Sequence, residues 1–234
     1  MRSSKDRPIH SQSGLYSRGT VAASLNAMEH HHAHEFEWND IYAGDGSDYQ
    51  EPDPQIVEAV AALAPGRALD VGCGAGGLVV ALLRRGWQVT GIDIAPKAIA
   101  ATQAALDARQ LQAELHVADA AVWQPPDRYD LITNSFALPD EKADQLELYR
   151  TIQAALAPGG TVLIKDFDAS MKRHKVFSRY HCPSLDELLA AFAELEIVRA
   201  EVVETPQHDH GEGRASSDEP WTAAFLHASK PKAG

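Results

Sequence analysis

Leu69-Asp70-Val71-Gly72-Cys73-Gly74-Ala75-Gly76-Gly77 is a short apolar run that ends in an acid and then breaks into closely spaced glycines. Gly91-Ile92-Asp93 follows after a stretch long enough for one helix. The run at 67–71 has the length of a buried strand, the glycines mark a tight turn, 76–85 has helical apolar spacing, and 88–93 is a second strand with an acid at its end. In that order small residues let a ligand approach the backbone, and Asp93 accepts hydrogen bonds from ribose hydroxyls. The stretch implies an α/β domain that binds a nucleoside-like ligand.

On either side the same alternation continues. Further strands are expected at 114–118, 129–135 and 161–167, and further helices at 55–63, 96–109 and 142–156. Pro65-Gly66, Gly86, Pro96 and Pro158-Gly159-Gly160 mark the joints. Such alternation argues for a parallel sheet covered by helices on both faces. The C-terminal part differs. Ser184 and Glu187 form a capping-box pattern for a helix running to about Leu195. Two extended segments, 197–204 and 221–229, then follow with no helix between them, so they are expected to pair antiparallel. Residues 1–34 are polar and rich in Ser and His and read as a mobile arm. Residues 35–230 read as one domain, with 35–64 as a lid segment leading into it.

The bulk properties narrow the function. The chain has 234 residues, an apolar fraction of 44% and a net charge of −12. A phosphate-neutralising surface needs clustered Lys and Arg, and the one short basic run, Lys172-Arg173-His174-Lys175, reads as a solvated loop, so no nucleic-acid partner is expected. No apolar run approaches the roughly 20 residues that span a bilayer. The two cysteines, Cys73 and Cys182, read as reduced thiols in a cytoplasmic protein, because a disulfide at Cys73 would obstruct the glycine turn. His30, His31, His32 and His34 lack neighbours that would fix a coordination geometry, and no metal site is expected there or at His208-x-His210. A monomer or a homodimer is expected.

The glycine turn alone fits two ligands: Gly72, Gly74 and Gly77 match a dinucleotide fingerprint, and Gly72, Gly74 and Gly76 match a Gly-x-Gly-x-Gly turn. Asp70 favours the second reading, since a carboxylate there suits a cationic amine or sulfonium and repels a pyrophosphate. Asp119, at the end of the third strand, can accept from an adenine amino group. A nicotinamide-dependent oxidoreductase is the alternative on the same kind of sheet, disfavoured by Asp70 and by the lack of a Tyr-x-x-x-Lys pair. A cofactor-binding regulatory protein without turnover is the other alternative.

Taken together, the motifs resemble those of class I S-adenosylmethionine-dependent methyltransferases. The stretch 69–76 is similar to their first motif, Val89-Thr90-Gly91-Ile92-Asp93-Ile94-Ala95 to the second and Val117-Ala118-Asp119-Ala120 to the third. Tyr129-Asp130-Leu131-Ile132-Thr133-Asn134 resembles the strand leading to the methyl centre, and 156–163 the turn before the fifth strand. The resemblance implies a Rossmann-like three-layer sandwich with sheet order 3-2-1-4-5-7-6 and strand 7 antiparallel. It also implies S-adenosyl-L-methionine as cofactor. In that reading Gly72 and Gly74 pass the methionine and ribose, Asp70 orients the amino end, Asp93 holds the ribose hydroxyls and Ile94 covers the adenine face. Asp119 and Ala120 would meet the adenine edge, and Asn134 and Ser135 would lie near the carboxylate or the methyl centre.

For the acceptor, Trp38-Asn39-Asp40-Ile41-Tyr42 resembles the leading segment of tellurite-resistance and thiopurine-type small-molecule methyltransferases. Trp38, Tyr42 and Tyr49 are expected to close over a small substrate as an aromatic lid. A thiolate, selenide or telluride acceptor needs little help, whereas an alcohol or protonated amine needs a base. Asp166 and His174, with Tyr42, are the catalytic candidates. Asp168 follows the same strand, and His208 and His210 are candidates for contact with the substrate.

Overall fold

The computed structural model describes Tyr42, residues 51–205 and residues 220–232. Seven strands form one sheet in the order β3-β2-β1-β4-β5-β7-β6. They are β1 (Arg67–Val71), β2 (Gln88–Asp93), β3 (Glu114–Val117), β4 (Tyr129–Ser135), β5 (Leu156–Phe167), β6 (Glu196–Thr205) and β7 (Trp221–Ser229). β1 to β5 pair parallel, and β7 runs antiparallel to both β5 and β6. This is the architecture and strand order that the motifs imply.

Among the described residues five α-helices flank the sheet: α1 (Pro54–Ala61), α2 (Gly77–Arg84), α3 (Pro96–Asp107), α4 (Lys142–Ala155) and α5 (Leu185–Ala191). Side chains alternate along the central strands, so consecutive residues feed two different cores. Leu131, Leu163 and Phe225 join Ile56, Val60, Val79, Leu82 and Leu106 on the α1–α2–α3 face. Ile132, Val162, Ile164 and Leu226 join Leu148, Ile152, Leu188 and Phe192 on the α4–α5 face. Burial on both faces explains why these strands read as continuous apolar runs.

Local signals set the helix ends. Asp53 caps α1 by accepting from the Gln55 and Ile56 amides, and Pro54 sits in the first turn, where its missing N–H costs nothing. Ser184 and Glu187 form the capping box of α5 as the sequence indicates. Two boundaries differ from expectation. α5 stops at Ala191, well before Leu195, because Phe192 turns out of the helix and packs its ring 5.3 Å from that of Tyr149. β5 starts at Leu156, ahead of the expected 161. Gly159 donates to the Lys230 carbonyl and the Lys230 amide donates to Gly160, so the Pro-Gly-Gly turn is held against the chain leaving β7. Gly159 reaches that position with a left-handed backbone, φ +80°.

Two 3₁₀ turns, Ala169–Arg173 and Lys175–Phe177, follow β5. They bring Met171 and Phe177 against Cys182, Phe167, Tyr180 and Trp221 in a third, smaller cluster beyond the strand ends.

Candidate active site

The register places the carboxyl ends of β1 to β4 side by side: Val71 is opposite Ile92 and Asn134, and Asp93 is opposite Val117. Ligands of open α/β sheets bind beyond those ends. The chain leaves β1 in a turn whose Gly72 and Cys73 amides both donate to the Ile92 carbonyl, at 2.8 and 2.9 Å. Gly72 and Gly74 have φ of +73° and +53°. A Cβ on Gly72 would collide with that of Ala137, and one on Gly74 would lie 2.6 Å from the Tyr42 hydroxyl. Both positions therefore require glycine for backbone shape and for space.

Asp93 locks this turn to β2. One carboxylate oxygen accepts from the Gly74 amide and the other from the Ala95 amide, each at 2.9 Å. A carboxylate has about four lone-pair sites, so both oxygens retain capacity for ribose hydroxyls. Burial pushes the Asp93 carboxyl above its ordinary range, and the surrounding backbone amides pull it back.

Asp70 sits one layer deeper. It is 3% exposed, and the Thr133 hydroxyl donates to it at 2.8 Å. Burial raises its carboxyl to about 7; Thr133 opposes that rise and the neighbouring Asp93 charge adds to it. Asn134 is fully buried at the tip of β4. Its amide nitrogen donates to the Val71 carbonyl at 3.2 Å, while its Oδ1 has no hydrogen-bond partner among the described residues. A buried acceptor calls for a donor, which a water or a ligand group would supply.

The open cleft contains about 900 Å³ of atom-free space. Of the residues assigned from sequence to the cofactor, Gly72, Asp93, Ile94, Asp119, Ala120 and Ser135 line it. Asp70, Gly74 and Asn134 do not line it. Asp119 turns the chain after β3, accepting the Ala121 amide at 2.9 Å. Tyr42 lines the cleft on the glycine-turn side; burial and the nearby Asp93 push its phenol up, so it stays neutral. The carboxylates of Asp140, Glu141 and Asp144, from the start of α4, complete an acidic rim.

The remaining candidates fall elsewhere. Asp166 is 9% exposed and does not line the cleft. Its oxygens accept from the Leu138 and Phe167 amides at 3.0 and 2.7 Å, so it braces the loop after β4. Burial raises its carboxyl to about 7. His174 joins the two 3₁₀ turns, next to Arg173 and away from the cleft lining. Asp168 caps the first of those turns through the Ser170 amide. Trp38, His208 and His210 lie outside the described residues, as do 35–41 and 43–50 of the expected lid; 54–61 is the helix α1.

Two features had no sequence signal. Lys165, with a side chain only 6% exposed, forms an ion pair at 2.7 Å with Asp53, the cap of α1, from 112 residues away. Phe136 lines the cleft with φ +54°, a left-handed conformation that costs a bulky residue on the order of 1 kcal/mol or more. The hydrogen bond from its amide to the Lys165 carbonyl, 2.8 Å, holds it there.

Comparison with known proteins places this arrangement. Residues 49–200 match the model of a methyltransferase domain. The chain is similar to a ubiquinone biosynthesis O-methyltransferase of Aeromonas salmonicida, 34% identical over 110 residues, which are 46% of each protein. It is also similar to a ribosomal RNA small subunit methyltransferase C of Alcanivorax borkumensis, 32% identical over 103 residues, 42% of this chain and 31% of that protein. The matched region thus spans about half or less of these relatives. Among solved structures, the N-methyltransferase NodS of Bradyrhizobium japonicum with S-adenosyl-L-homocysteine superposes with a TM-score of 0.65 at 16% identity, over 85% of this chain and 98% of that one. TehB of Haemophilus influenzae superposes with a TM-score of 0.64 at 20% identity, over 76% and 62%. These two share the fold. With the family match over most of the chain, the glycine turn and the acids at successive strand ends have one reading: the chain belongs to the class I S-adenosylmethionine-dependent methyltransferases.

Proposed function

We propose that this methyltransferase acts on a small molecule, and that the donor is held by Asp70, Gly72, Gly74, Asp93, Ile94, Asp119, Ala120, Asn134 and Ser135. The observation that carries the acceptor reading is the charge of the cleft. Asp93, Asp119, Asp140, Glu141 and Asp144 line it, and no Lys, Arg or His is among its described lining residues. A nucleic-acid backbone would meet repulsion at each of these groups, and the net charge of −12 adds to it. The donor's adenosine and amino-acid parts, which carry hydroxyls, amines and a positive charge, suit the same surface.

When bound, S-adenosyl-L-methionine supplies an electrophilic methyl group on a sulfonium. The chain's own contribution is alignment and exclusion of water. Asp93 fixes the ribose end while keeping the glycine turn rigid. Asp70 and the free Oδ1 of Asn134 offer buried acceptors to the ammonium end. Tyr42 covers the glycine turn, and the Asp53–Lys165 pair ties the start of α1 to β5. Asp166 supports the 136–140 loop, which borders the methyl centre.

Calorimetric titration of the whole chain with S-adenosyl-L-homocysteine and with NADH tests the donor site. Binding of the first and not the second is expected, and the reverse would overturn the reading. A panel of small thiols, amines and phenols alongside RNA, followed by S-adenosyl-L-homocysteine release, tests the acceptor class. Turnover of RNA alone would defeat it.

A further inference from the structure

We propose that Phe136 is a specificity-determining wall of the acceptor pocket and that the acceptor presents a flat aromatic ring to it; this rests on the methyl centre lying beside the loop after β4. Phe136 lines the cleft although its backbone is left-handed, a conformation normally left to Gly or Asn. Such strain gathers at ligand sites. The fold spends several contacts on fixing this ring. Its amide is tied to the Lys165 carbonyl at 2.8 Å. The Lys165 ammonium lies 5.8 Å from the ring centroid, itself held by Asp53. Phe167 packs against the ring at 4.9 Å with planes tilted 49°.

The contacts continue away from the cleft. Phe167 meets Phe177 at 4.5 Å and Trp221 at 5.5 Å, and Phe177 meets Trp221 edge-on at 5.1 Å. These rings belong to the small cluster beyond the strand ends, separate from the two cores that stabilise the sheet. Phe136 is therefore the cleft-facing end of a rigid aromatic stack. A further ring in the acceptor extends that stack in the offset or edge-on geometry that aromatic pairs favour. An aliphatic acceptor of the same size gains burial there but no such geometry. A rigid wall also orients the nucleophilic atom on the ring substituent, which is the alignment methyl transfer requires.

The test is saturation-transfer NMR on the whole chain with S-adenosyl-L-homocysteine present, using matched probes: phenol against cyclohexanol and benzylamine against cyclohexylmethylamine. Both aromatic probes are expected to bind several-fold more tightly than their saturated partners. Phe136→Leu keeps most of the volume and removes the ring, so the several-fold preference is expected to fall to near parity, while Phe136→Tyr retains it. Equal binding of the matched probes to the wild-type chain overturns the proposal without need of any variant. So does a preference that survives Phe136→Leu. Failure of S-adenosyl-L-homocysteine itself to bind would instead refute the donor site on which the proposal stands.

Discussion

Replacing Asp70 by Asn removes a buried carboxyl whose ionisation opposes folding. In the folded chain that carboxyl is raised from 3.8 to about 7 by burial, with a single side-chain donor, Thr133. A folded-state value above the unfolded one means that stability is fullest below the unfolded value and is lost as pH rises through the folded one. Between pH 6 and pH 8 the unfolded carboxyl is ionised throughout, whereas the folded one gives up most of its proton. Over that interval the loss is about 1.4 kcal/mol, one power of ten in the folding equilibrium. For a chain of this size it corresponds to a melting shift of about 3–5 °C. Half-buried His181 and His227, whose imidazoles are lowered, run the other way, so the absolute slope of the wild type mixes several groups. The difference between Asp70→Asn and wild type isolates the one carboxyl. Urea unfolding at pH 6, 7 and 8 should show the variant gaining on the wild type by about that amount as pH rises. A difference that stays constant across the range would refute the claim that Asp70 is held partly protonated.

Three further outcomes are expected. Asp93→Asn places an amide where two main-chain N–H groups need acceptors and also weakens the ribose contact; calorimetry should show S-adenosyl-L-homocysteine affinity reduced roughly tenfold or more, from a charge-assisted bond of about 1.5–3 kcal/mol. Lys165→Met leaves the Asp53 carboxylate without its cation in a nearly closed site and should destabilise the chain by about 3 kcal/mol in chemical denaturation, with part of the loss recovered when Asp53→Asn is added. Gly72→Ala meets both the Ala137 side chain and an unfavourable positive φ; a melting-temperature drop matching about 2 kcal/mol is expected, and an unshifted melt would show that the turn can relax.

The parts of the site that could be read from the chain are those in which spacing carries the chemistry. Glycines at 72 and 74 must pass a turn with positive φ, and Asp93 stands one helix later at the tip of the neighbouring strand, so a local pattern fixes a local geometry. Asp166 is the opposite case. Its position at the carboxyl end of β5 is legible, but whether its carboxylate reaches the cleft depends on where the loop after β4 folds, and that loop's amides occupy it. Tyr42 likewise could be singled out as an aromatic ahead of the domain. Its seat over Gly74 follows only from the packed turn.

Periodicity and turn residues determined the alternating strands and helices and the glycine turn, because these arise from interactions between residues close in sequence or repeated along it, while the order of the strands was implied by the resemblance of the motifs to a known family. Tertiary structure alone decided the Asp53–Lys165 pair, the left-handed Phe136 and its aromatic stack, the stopping of α5 at Phe192 and the early start of β5. Each of these depends on which distant segment lies opposite: an ammonium facing a helix cap from 112 residues away, or a carbonyl on one strand catching the amide at the end of another. Such pairings have no period along the chain, so they exist only once the sheet has assembled and burial has removed water as the competing partner.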